Sequence, residues 1–84
     1  MFELVYSRKA EKQFAKLEKN MQVRISSSLE RIRIRPHSFV KRLVGEKAYS
    51  FRVGNLRIIM DIYESRLIIL VLEIGHRKDI YEKL

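Results

Sequence analysis

Tyr49–Ile62, YSFRVGNLRIIMDI, is the stretch whose reading decides the fold. Tyr49, Phe51 and Val53 alternate with Ser50 and Arg52; Leu56, Ile58, Met60 and Ile62 then alternate with Arg57, Ile59 and Asp61. A period of two describes strands with one buried face. Between the runs, Gly54–Asn55 is a two-residue hairpin turn of the Gly-Asn kind. A second tight turn at Glu64–Ser65 leads into Leu67–Ile74, which is apolar on both faces except at Glu73. That composition predicts a central strand covered on both sides for most of its length. The second half of the chain is therefore a three-stranded antiparallel meander.

Upstream, the spacing of apolar residues lengthens to that of helices. Residues 2–6 (FELVY) alternate and read as a short strand. Ser7 is the expected N-cap of a helix from Arg8 to Leu17, with Ala10, Phe14 and Leu17 on its apolar side and Lys12, Lys16 and Lys19 opposite. Asn20 is the expected cap of a second helix, which runs to Arg35 and is stopped by Pro36. Its core face is Met21, Ile25, Leu29 and Ile32; Arg24, Arg31 and Arg35 form an adjoining stripe, and Val23 and Ile34 a further one. Only two or three residues separate the helices, which predicts an antiparallel helical hairpin. A loop follows around His37–Lys41. The expected architecture is α+β: an N-terminal strand and a two-helix hairpin packed on one face of a twisted, mainly antiparallel four-stranded sheet.

Residues 1–84 make one domain, near the lower size limit for a fold held by a single core. There is no cysteine, so neither disulfides nor thiolate metal sites contribute. No run reaches the ~18 apolar residues of a membrane span, and no secretory signal pattern opens the chain. The expectation is a soluble protein of the cytoplasm without a membrane partner. The net charge of +8 favours a polyanionic partner. It is unevenly placed: residues 1–42 carry eleven Lys/Arg against four acids, residues 43–84 seven against six. A thermophilic composition explains many charges but not their sign.

Because basic residues are not in general excess in the second half, each of them is more informative there. Arg52 points away from Phe51 and Val53, and Arg57 away from Leu56 and Ile58, so both emerge on the open sheet face near the hairpin turn. The last strand runs into GHRKDIY (75–81) and returns to the same end. Arg52, Arg57, Arg77 and His76 are thus expected to converge, with Tyr81 near them. Fixed guanidiniums on an open surface suit a phosphate, through bidentate bonding and stacking. The bland alternative is solvated sheet arginines paired with Asp61 or Glu73. The three glycines are isolated, so no phosphate loop exists; the two histidines lack metal-ligand company, and neither a metal nor a cofactor is expected. Lys12, Lys16, Arg24, Arg31 and Arg35 either form solvated helix faces or grip the phosphates of a large RNA.

The order of elements, the YSFRV–turn–LRIIMDI hairpin and the closing IGHRKDIY together resemble the RelE branch of the RelE/ParE toxin superfamily over essentially the whole chain. The resemblance implies a type II toxin–antitoxin toxin that cuts mRNA in the ribosomal A site and is neutralised by a RelB-like antitoxin. The ribosome, through its rRNA and the A-site message, would be its second partner. A basic residue before the hairpin in that family matches Arg52, and the arginine opening the next strand matches Arg57. The arginine after the strand-ending glycine matches Arg77, and the C-terminal tyrosine matches Tyr81. Lys47 and Lys78 join the RNA-binding set. Ser50 stands where some relatives carry a second lysine, and Lys47, three residues earlier, falls on the Tyr49 side of the alternation. His76 occupies a place where relatives carry lysine.

The chemistry implied is attack of the RNA 2′-OH on the adjacent phosphate. It needs a base for the 2′ proton, cations for the transition state and an acid for the leaving 5′ oxygen. Arg57 and Arg77 are the candidate clamp. His76, with an ordinary histidine pKa near ~6.5, is a candidate acid or base, or else structural. Tyr81 stacks on a base, orients the 2′-OH or packs the C-terminus. Arg52 suits a phosphate contact better than a base, since arginine stays charged below pH ~12. Two other readings stand beside this one: a ParE-like inhibitor of DNA gyrase, and a non-enzymatic basic module that binds nucleic acid.

Overall fold

The computed structural model describes residues 1–43 and 48–76. In chain order they form β1 (Glu3–Tyr6), α1 (Arg8–Ala15), α2 (Lys19–Ile32), a short 3₁₀ turn (Pro36–Ser38), β2 (Lys41–Arg42), β3 (Tyr49–Val53), β4 (Leu56–Tyr63) and β5 (Ile68–His76). The strands form one sheet in the order β1-β5-β4-β3-β2, with β1 parallel to β5 and every other pairing antiparallel. The α+β architecture is the expected one, but the sheet has five strands among the described residues, not four. The added strand is β2, which sits where a loop was expected; its Lys41 and Arg42 pair with Ser50 and Tyr49. Two charged residues offer no periodicity from which a strand can be read.

Both helices bury their apolar sides on the same face of the sheet, α1 over β5 and α2 over β3. The core joins Ala10, Ile25, Leu29 and Ile32 to Val53, Leu56, Ile58, Met60, Ile69, Val71 and Ile74. Ile58 and Met60 in β4 have no exposure at all, so truncating either to Ala should cost about 2–5 kcal/mol. That is a large share of the roughly 4–13 kcal/mol that a chain of this size holds at ~0.05–0.15 kcal/mol per residue.

Local chemistry sets the helix ends. Ser7 caps α1 as expected: its Oγ accepts from the Ala10 N–H at 3.0 Å and donates to the Leu72 carbonyl at 2.8 Å. Helix α1 stops at Ala15, earlier than Leu17, and the Gln22 side chain donates to the Phe14 carbonyl at 2.9 Å. Lys16 is therefore the C-cap, and Lys19 begins the next helix. Glu18, not Asn20, is the N-cap of α2, and it caps without a side-chain bond. Helix α2 ends at Ile32, three residues short of Arg35. Arg35 lies at φ −141° and ψ 77°, as a residue before proline avoids the helical region. Arg33 ties this end to β1, its Nε donating to the Phe2 carbonyl at 2.8 Å while Nη1 engages Glu30.

The Gly54–Asn55 turn forms as expected, with Val53 paired to Leu56, Gly54 at φ +59° and Asn55 not in the positive region. The second turn is longer than expected. It takes up residues 64–67, and Leu67 sits in it at φ +53° instead of opening β5. Strand β5 is an inner strand between β1 and β4, but it is not covered on both sides among the described residues: Ile69, Val71 and Ile74 are buried under the helices, while Ile68 and Leu70 are half-exposed. It also carries a bulge. Ile59 pairs with Glu73 and Met60 with Val71, which leaves Leu72 as the extra residue.

Candidate functional site

The face of the sheet away from the helices carries Arg52 and Arg57. Arg52 and Arg57 stand directly opposite one another on β3 and β4. Like charges in that position repel, at a cost of about 0.2–1 kcal/mol, and a bound anion reverses the sign of the interaction. Arg57 is half-buried and its Nη1 donates to the Ser50 hydroxyl at 3.4 Å. Ser50 is 5% exposed and supports the guanidinium. On its other side Arg57 faces Gly75, which brings no side chain to the strand pair. Arg52 is exposed, and its Nε donates to the Gly54 carbonyl at 3.2 Å, which draws it toward the turn.

His76 does not join them. It is in register with Leu56, two residues beyond the buried Ile74, so it lies on the helix-bearing side of the sheet. His76 does lie at the expected end of the sheet, opposite Leu56, but on the other side of it from Arg52 and Arg57. The cause is the Leu72 bulge: counting by twos from Ile69 and Val71 puts His76 on the open face, and the extra residue inverts that parity. Arg77, Lys78 and Tyr81, and Lys47 before the hairpin, lie outside the described residues.

The helix-borne basic residues fall into two groups. Lys12 and Lys16 are exposed on the helix layer, across the sheet from Arg57. Arg24 and Arg31 lie beside β3, where with Ser27, Ser28, Phe51 and Arg52 they line a groove of about 430 Å³. The Arg24 guanidinium rests against Gly54. Arg35, outside the helix, does not extend this stripe. The groove was not read from the sequence, although the seven-residue offset of Arg24 and Arg31 was its visible half. Among the described residues no group of three His, Cys, Asp or Glu is placed to hold a metal ion. No helix among them is long and apolar enough to cross a membrane.

Residues 4–81 match the family described as ParE toxin of type II toxin–antitoxin system, parDE. The chain belongs to this family. No curated protein matches the sequence at a significant level. Among solved structures, this ParE-family chain is similar to isolated E. coli RelE toxin, with a TM-score of 0.81 at 17% identity over 99% of this chain and 94% of the other. A chain of the Mycobacterium tuberculosis RelBE2 toxin–antitoxin complex gives 0.82 at 19% identity, covering 90% and 98%. One from the archaeal RelE–RelB complex of Pyrococcus horikoshii gives 0.78 at 20%, covering 90% and 94%. At these identities the likeness is one of fold, and it matches the resemblance to RelE read from the sequence.

Proposed function

We propose that this ParE-family toxin is a ribosome-dependent endoribonuclease that cleaves mRNA in the A site and so arrests translation in the cytoplasm. The observation that carries the reading is the Arg52–Arg57 pair on the open sheet face, with Arg57 half-buried and braced by Ser50. A gyrase inhibitor has no need of a guanidinium pair on that face, whereas cations set against the non-bridging oxygens stabilise the transition state of phosphoryl transfer.

In this reading the 2′-oxygen attacks the adjacent phosphorus and the P–O5′ bond breaks, leaving a 2′,3′-cyclic phosphate and a 5′-hydroxyl. Arg57 holds the non-bridging oxygens as charge builds on them, and Arg77, the residue after β5, is assigned the second clamp. Arg52 binds a phosphate and transfers no proton. Because His76 faces the helix layer, proton transfer at the 2′-oxygen is assigned to Tyr81, and the leaving 5′ oxygen takes its proton from water. Lys12, Lys16, Lys47, Lys78 and Arg35 are assigned to ribosomal RNA. The similarity to chains of RelB–RelE complexes supports a RelB-like antitoxin as the neutralising partner.

The test is translation of a defined message in vitro with purified protein, mapping 5′ ends by primer extension. New ends inside the A site that vanish for Arg57→Ala are expected. An intact message sinks the assignment, and inhibition of gyrase supercoiling by the same preparation would replace it.

A further inference from the structure

The groove between α2 and β3 is a second feature that calls for a ligand. Among the described residues β2 pairs only with Tyr49 and Ser50, so Phe51–Val53 has no strand neighbour on its outer side, and α2 runs along that edge. Arg24 and Arg31 lie seven residues apart in the helix, about 10 Å along its axis, which exceeds the reach of one phosphate. Arg52 contributes from the strand side. Among the described residues no acidic side chain lines the groove, and the ion pairs engage Lys9, Arg33 and His37, not these three arginines. Ser27 and Ser28 supply hydroxyls and Phe51 an aromatic surface.

Arg52 links this groove to the open face, because it faces Arg57 across the hairpin. We propose that the groove is a substrate subsite: it holds the single-stranded RNA that adjoins the phosphate clamped by Arg57, with Arg24 and Arg31 each neutralising one phosphate. Extended polyanion, continuity with the cleavage face, hydroxyls for 2′-OH groups and an aromatic or guanidinium surface for base stacking all suit a single strand of RNA. This reassigns Arg24 and Arg31 from ribosomal RNA to the message itself. It deepens the nuclease reading, and its binding arm does not depend on cleavage.

The experiment is fluorescence anisotropy of the full chain, without ribosomes, with a short single-stranded oligoribonucleotide across a salt series. For single strands the slope of log K against log salt is about −0.7 per phosphate neutralised, so Arg24→Ala/Arg31→Ala should flatten it by about 1.4. The double variant should weaken low-salt binding at least about tenfold. A charge-matched control, Arg8→Ala/Arg66→Ala, changes exposed arginines outside the groove and should leave the slope within about 0.5 of wild type. An unchanged slope in the groove variant, or an equal loss in the control, overturns the subsite. So does poly-glutamate displacing the oligonucleotide at lower concentration than competing RNA does, which would make the edge a peptide site. In ribosome-programmed cleavage the groove variant should raise KM and keep kcat. Wild type that binds with the expected slopes yet leaves the message intact defeats the nuclease reading and keeps the groove; cleavage with unaltered groove-variant binding does the reverse.

Discussion

Leu67 is held at φ +53°, a conformation that costs a residue with a β-carbon about 1–2 kcal/mol. The fold accepts it because the Leu67 carbonyl receives the Glu3 N–H at 2.8 Å and its own N–H reaches the Glu64 carbonyl. The side chain is half-exposed, so little burial offsets the strain. Asparagine tolerates this region, and Leu67→Asn should stabilise the protein by about 0.5–1 kcal/mol, or roughly 3–6 °C in Tm. Thermal unfolding followed by circular dichroism reads this directly; an unchanged or lower Tm refutes it. At Arg57 the issue is shape and not only charge. Lysine keeps the cation but loses the planar fork and the bond to Ser50. Both Arg57→Ala and Arg57→Lys should lower kcat in ribosome-programmed cleavage, by about 10²–10³-fold for Ala and less for Lys. If Lys equals wild type, a point charge is enough and bidentate clamping is wrong.

Between α1 and β5, two side chains hold the bulged segment in place. Ser7 joins the helix cap to the Leu72 carbonyl, and the Gln13 Oε1 accepts the Ile74 N–H at 2.7 Å. Strand β1 ends at Tyr6, opposite Val71, and these bonds satisfy β5 backbone groups beyond that end. Ser7→Ala should cost about 1–2 kcal/mol as a lost cap and a lost partner, and Gln13→Ala about 1–3 kcal/mol as an unsatisfied N–H. Native-state hydrogen exchange should show selective loss of protection at Ile74 in Gln13→Ala; full protection there would mean that the bond carries nothing. This junction also explains what the sequence leaves unread. The hairpin of β3 and β4 was legible because apolar and polar residues alternate there, so Arg52 and Arg57 could be put on the open face. Strand β5 is apolar on successive residues, so its phase is hidden and a bulge cannot be seen in it. The return of β5 puts His76 at the arginines' end of the sheet but does not give its side, and the inserted Leu72 turns it toward the helices. Helix ends failed for a similar reason. Arg33 and Ile34 have ordinary helical propensity, and it is the conformation demanded by Pro36, felt at Arg35, together with the bond from Arg33 to Phe2, that ends α2 early.

Charge acts at the scale of the whole molecule. With a net charge of +8 at pH 7 and a pI near 10.1, self-repulsion fades as the pH rises, which favours the compact state. Tyr6 opposes that trend. It packs against Phe14, and burial, followed by the negative charge of Glu30, raises its phenol above the ordinary value of 10.0. The folded state therefore keeps the proton longer than the unfolded chain does. Below about pH 10 the contribution of Tyr6 is fully present; above it the unfolded chain ionises first, and stability is lost as the pH climbs toward the raised folded value. Tyr6→Phe removes that titration while keeping the ring. The substitution changes this one titrating group, so subtracting the two stability curves isolates Tyr6. Urea midpoints measured from neutral to strongly alkaline pH should differ by a constant up to about pH 9 and then shift progressively in favour of Tyr6→Phe. Curves that stay parallel through the tyrosine range would show that the Tyr6 phenol ionises as easily in the fold as outside it.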